Sequence, residues 1–159
     1  EITPSDRSVV EPAMQIEKET GEPGAAIELH DGTIVTGKTK DVFGCASASV
    51  VNALKALAGI EDDLELIPKN LLDPVQDLKT TYLGSKNPRL HIDEALIAIA
   101  LNAAVDENAK KALEMLPELK NCEMHLTVVP SQNEMATLRK LDINFTCEPK
   151  YSENKLFRL

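Results

Sequence analysis

Two groups of residues carry most of the polar chemistry available to this 159-residue chain. The first is Arg89-Leu90-His91-Ile92-Asp93-Glu94, where a guanidinium, an imidazole and two carboxylates stand at the start of a helical pattern. Arg89, His91, Asp93 and Glu94 together could bind a polar ligand or exchange protons with one. The plainer alternative is that acids in a first helical turn only complement the helix dipole, with Asp93 as a cap. The second group is spread along the chain: Lys38, Cys45, Ser47, His125, Ser131 and Gln132. Its core is the run CASASVVNALKALA from Cys45 to Ala58, whose small leading residues leave the first-turn amides accessible. A helix N-terminus of that kind is a ready anion site, with Lys38 near in sequence; otherwise the alanines and serines only pack and Lys38 is only solvated.

Residues Gly32 to Thr39 read GTIVTGKT and satisfy the triphosphate-loop pattern letter for letter. A phosphate loop needs a strand before its first glycine and a helix at Gly-Lys-Thr. Here Asp31-Gly32 is a hairpin turn signal and Thr33 to Thr36 is itself β-branched strand, so the match is read as a coincidence. Cys122 and His125 have a metal-like spacing, but three residues apart on a strand they point to opposite faces and cannot share an ion. No metal and no cofactor are expected. Neither a Gly-x-Ser-x-Gly elbow nor a Cys–His nucleophile arrangement is recognisable.

The elements that must position these residues follow from periodicity. Capping residues at Thr3 to Asp6 and an apolar stripe at Val9, Val10, Ala13 and Ile16 predict a helix over residues 5 to 20, ended by Gly21 and Pro23. A hairpin follows, Gly24 to Leu29 and Thr33 to Thr36, then the helix Cys45 to Ala58 closed by Gly59. From about 61 to 120 a helical insertion is expected: a short strand at Leu64 to Ile67, then helices near 71–83, 93–104 and 106–116. The tail returns to β-α-β, with Cys122 to Val129 and Ile143 to Cys147 as strands. Between them Ser131 to Leu141 forms a helix capped by Ser131, which makes the two strands parallel. Cys122, Met124, Leu126 and Val128 alternate with Glu123, His125 and Thr127, and Asn144, Thr146 and Glu148 repeat the pattern, so several strands share a polar face. That face meets solvent, meets a missing domain, or lines a pocket.

Composition narrows the class. One domain is expected at this length. A net charge of −9, with 17 Lys and Arg scattered without a basic run, lacks the footprint of a nucleic-acid binder. The longest apolar run, Ala95 to Leu101, is far short of the roughly 20 residues that span a bilayer. Three separated cysteines in apolar settings read as reduced packing residues in a cytoplasmic protein. The chain opens without methionine directly into a helical pattern, as a piece of something longer would.

The runs AIELHDGTIVTGKT, VNALKALAGI, NPRLHIDEALIAIA, LPELKNCEMH and RKLDINFTCEPKY resemble the C-terminal part of the uncharacterised bacterial family known as domain of unknown function 1846, over nearly the whole chain. The resemblance implies a protein about three times longer with an α/β N-terminal region, and carries over no catalytic residue. Members tend to have serine where Leu126 stands and glycine where Asp142 stands. A weaker resemblance is to the cytidine deaminase fold: helix, hairpin ending Thr36-Gly37, Cys45-Ala46-Ser47 at a helix start, then a strand ending Val129-Pro130 before a helix. Ser47, Ser131 and Glu134 occupy the places of its glutamate and zinc cysteines, so zinc deamination is not implied.

The expected architecture is therefore an α/β domain with a layered mixed sheet, a deaminase-like arrangement without the zinc motif, and a helical insertion. Its expected role is to bind a small polar or anionic metabolite between paired helix starts, as part of a larger bacterial enzyme. The rival is an interaction module that docks the missing N-terminal domain or a second copy of the chain.

Overall fold

The computed structural model describes residues 7–151. A helix α1 (Val10–Thr20) leads into the hairpin β1 (Gly24–Glu28) and β2 (Ile34–Lys38). Gly32 sits in the turn at φ 90°, and Asp31 accepts from the Thr33 amide at 2.9 Å, an Asx-type turn that explains the Asp-Gly signal. The GTIVTGKT stretch is thus an extended strand paired with β1 from Gly24↔Lys38 to Glu28↔Ile34, with no cup of converging amides. Helix α2 (Cys45–Ala58) spans the expected residues and ends on Gly59 in left-handed geometry at φ 70°.

The strand order is β2-β1-β3-β4, with β3 (Glu123–Leu126) antiparallel to β1 and parallel to β4 (Asn144–Cys147). Helix α6 (Gln132–Lys140) makes the crossover, its first turn capped by the Ser131 hydroxyl accepting from the Glu134 amide at 3.1 Å. Between α2 and β3 run α3 (Lys69–Asp77), a π turn (Leu78–Tyr82), α4 (Ile92–Asn102), α5 (Glu107–Glu114) and a 3₁₀ turn (Leu116–Leu119). One face of the sheet, Ala25, Ile27, Met124 and Leu126, buries against this helical side together with Val50, Leu54, Ile92 and Ile99.

Several expectations are corrected. The first helix starts at Val10 rather than residue 5; its cap position, Val9, makes no side-chain cap bond, and Thr3 to Asp6 lie outside the described residues. Leu64 to Ile67 is not a strand. Leu66 and Ile67 are buried, but the Leu66 carbonyl accepts from the Asn102 side chain at 2.9 Å instead of from a neighbouring strand, and Pro68 follows with no amide to donate. The 71–83 helix begins earlier, after Pro68, and continues past Asp77 as the π turn. The polar strand face is covered over β1 to β3, while Asn144 and Thr146 of β4 stay exposed. Helix α1 and the residues leading into it supply the cover: Val9 and Ala13 pack on Ala26, Arg7 pairs with Glu123, and Glu17 accepts from Thr127 at 3.0 Å. Asp142 adopts φ 60° after α6, the geometry for which glycine is better suited.

Candidate functional site

Three helix starts meet at one cleft of about 410 Å³. Its wall includes Gly44, Cys45 and Ala46 from α2, Leu90 and His91 from the start of α4, and Ser131 and Glu134 from α6; Arg89, Thr39 and the strand end Leu126 to Pro130 complete that side. Direct bonds hold the starts together. The Ser47 hydroxyl donates to the Leu90 carbonyl at 2.7 Å, and Asn133 donates to the Asp93 carboxylate at 3.3 Å. An isolated parallel bridge, Phe43 to Leu90, joins the segment before α2 to the segment before α4. Arg89 and His91 of the first group and Cys45, Ser47 and Ser131 of the second are thereby one neighbourhood.

The three starts differ in how their amides are satisfied. Helix α4 is closed by its own acids: the Asp93 carboxylate accepts from the Glu94 amide at 2.8 Å, and the Glu94 carboxylate accepts from the His91 amide at 2.8 Å. Helix α6 is capped by Ser131. Helix α2 has glycine at its cap position, no side-chain cap and no acid in its first turn; among the described residues the Cys45 amide is met by the Thr39 hydroxyl at 3.0 Å and the Ala48 amide by the Gly44 carbonyl at 2.9 Å. Its positive end is the one left for something else.

The π turn supplies the charge that organises α4. It turns Lys79 inward, where its ammonium donates to the Arg89 carbonyl at 2.5 Å and the Glu94 carboxylate at 2.7 Å. Burial alone would raise the Glu94 carboxyl, but hydrogen bonds from His91 and Lys79 outweigh it and bring it to about 2. His91 is raised, chiefly by its hydrogen bond to Glu94. Burial pushes the Glu134 carboxyl up, with Asp93 adding to the effect and His91 opposing it. Burial and the Glu134 charge drive the Cys45 thiol to about 12, so it lines the cleft as a neutral group and not as a nucleophile. His91, Asp93 and Glu94 each bring a ligand-type atom within 4.8 Å of the others. Lys79 already neutralises Glu94, so among the described residues that trio is organised as an ion pair rather than as a cation site.

Of the residues singled out in the sequence, Cys45, Ser131, Arg89 and His91 line the cleft. Ser47, fully buried, does not line it but braces it through Leu90. Asp93 and Glu94 stand just behind His91. Gln132 is exposed and outside the lining. Lys38 is elsewhere: it lines a second cleft of about 820 Å³ with Ile16, Thr20 and Lys55. The cause is strand alternation, because Gly37 faces α2 so closely that Lys38 must point to the α1 side. His125 is also elsewhere, buried beneath α1 with its ring nitrogens 2.7 Å from the Thr146 hydroxyl and 2.8 Å from the Glu148 carboxylate. Glu134 was not singled out as a ligand, although its place three residues after the Ser131 cap was the available signal.

Comparison with known proteins places these features in a family. The description "Domain of unknown function DUF1846, C-terminal" matches residues 5–157. A UPF0371 protein of Corynebacterium diphtheriae is 48% identical over 157 residues, which is 99% of this chain and 32% of the relative. One of Corynebacterium glutamicum is 47% identical over 156 residues, covering 98% of this chain and 32% of the relative. One of Streptococcus thermophilus is 46% identical over 157 residues, again 99% and 32%. The chain thus spans about a third of the length of these bacterial relatives.

Proposed function

The chain belongs to that DUF1846 C-terminal domain family, and from this premise we propose that the three-helix cleft binds a small metabolite through an anionic group, within a larger bacterial protein. The observation that carries this reading is the uncapped start of α2, free of acidic residues, on the wall of a cleft that also presents Arg89 and His91. A volume of about 410 Å³ falls in the range of roughly 300–1,000 Å³ common for small-molecule sites. An anion seated at the start of α2 meets the dipole of a 14-residue helix, and a guanidinium and an imidazole lie within the same lining.

Glu17, Glu22 and Glu134 also face the cleft, so the ligand is expected to be polar over its length and anionic at one end. The deaminase-like arrangement belongs with this reading as a scaffold: the hairpin, the strand order β2-β1-β3-β4 and helix starts at Cys45 and Gln132 fit it. Zinc chemistry does not belong with it, since the corresponding positions hold Ser47, Ser131 and Glu134. Titrating the intact protein with nucleotides, phosphorylated sugars and short dicarboxylates, followed calorimetrically, tests the proposal. Saturable binding by one class supports it, and no binding by any of them opposes it.

A further inference from the structure

Helix α4 is apolar on both sides, and only one side is covered. Ile92, Ala95, Ala98 and Ile99 are buried in the core, where α4 packs against α2 and α5. From Ala95 to Leu101 the sequence is ALIAIAL, with no polar residue on the outward face either. That face carries Ile97 and Leu101 one turn apart, 60% and 64% exposed, and Val105, 86% exposed, follows in the turn beyond the helix end at Asn102. A helix that is apolar all round is characteristically buried all round, and a line of large apolar side chains left in water marks a contact surface.

We propose that the outer face of α4, through Ile97 and Leu101 and extended by Val105 from the turn after the helix, docks the region of the same polypeptide that precedes this domain. The lengths argue for that occupant. The domain is 32% of its relatives and matches a family described as C-terminal, so in those relatives about twice as much chain lies outside it. A covalently joined region is present at high effective concentration, and a modest apolar contact is therefore enough to hold it where a separate partner would dissociate. The proposal stands apart from the cleft: the docking line starts beyond the first turn of α4, and none of its three residues lines the cleft.

The test places the photo-crosslinking residue p-benzoylphenylalanine at Leu101, and separately at the more exposed Val105, in the intact protein. Irradiation at low micromolar concentration is followed by mass-spectrometric mapping of the adducts. The expected result at one or both positions is an adduct within one chain, to residues preceding this domain, in a yield that does not change on tenfold dilution. Adducts between two copies, falling on dilution, would overturn the proposal in favour of self-association. Recovery of the photolabel unreacted at both positions would overturn it in favour of a bare face. Val105 keeps the test decisive if the Leu101 variant fails to fold, because its side chain is mostly in solvent in this domain.

Discussion

The buried Ser47 hydroxyl donates to the equally buried Leu90 carbonyl across 2.7 Å, joining residues 43 positions apart in sequence and fastening the first turn of α2 to the start of α4. Without it the Leu90 carbonyl is buried and unmet at that bond. Ser47→Ala is expected to cost about 1–3 kcal/mol in urea unfolding. It is also expected to weaken any ligand of the cleft, because the two helix starts lose their tie. A variant as stable as the parent would show that the starts are held by packing alone.

Lys79 and Glu94 form the other tie, and its pH dependence has a definite sign. The folded Glu94 carboxyl lies at about 2, below its ordinary 4.5, so its stabilisation is present above pH 4.5 and is lost as pH falls toward 2. Lys79→Met is expected to destabilise by about 2–3 kcal/mol at pH 7, since it leaves a partly buried carboxylate with only His91. Urea midpoints for the two proteins should converge as pH falls from 4.5 toward 2. Parallel lines across that range would contradict the assignment.

Gly37 is where β2 touches α2. A Cβ there would fall 2.4 Å from the Ser49 amide nitrogen and 2.8 Å from backbone atoms of Ala48 and Ser49. Backbone cannot yield as a flexible side chain can. Gly37→Ala is expected to cost about 3 kcal/mol, at the upper end for overpacking, while Gly44→Ala, with nothing within 4 Å of its Cβ, should change stability far less. Thermal unfolding of the pair checks the contrast.

Affinity for an anion should rise as pH falls. His91 is raised above 6.5 by its bond to Glu94, and its positive charge is lost as pH climbs through that raised value. Glu134, raised by burial, is neutral over more of the acidic range than an ordinary glutamate, which also favours an anion. Lys79 and Glu94 beside His91 are already paired with each other, and Asp93 acts on Glu134 in the same upward direction. Calorimetric dissociation constants at pH 6.0, 7.5 and 8.5 should weaken in that order, and a flat profile would remove His91 and Glu134 from the site.

Much of the scaffold was legible because its signals are local. The Asp31-Gly32 turn, the helix from Cys45 to Gly59 and the Ser131 cap each follow from a few adjacent residues. The alternation of Met124 and Leu126 with His125 also held, and followed through it would have set His125 aside from the cleft. What could not be read is long-range. Nothing near Arg89 or His91 says that their segment will bridge to Phe43, and nothing near Lys79 says that a π turn will aim its ammonium at Glu94. Leu64 to Ile67 failed for the same reason: a short apolar run is equally suited to a strand and to a buried turn, and only the missing neighbour decides.

The measurement closest to the central claim is ligand titration of Gly44→Asp in the intact protein. Gly44 has φ −71° and ψ 168°, suited to a capping side chain, and open space where a Cβ would be. An aspartate there would cap α2 and place a carboxylate where the ligand's anionic group is proposed to sit. The expected result is a protein about 0.5–1 kcal/mol more stable that no longer binds the metabolite class taken by the parent. Unchanged affinity in that stabilised variant would contradict the assignment of the anion to the start of α2.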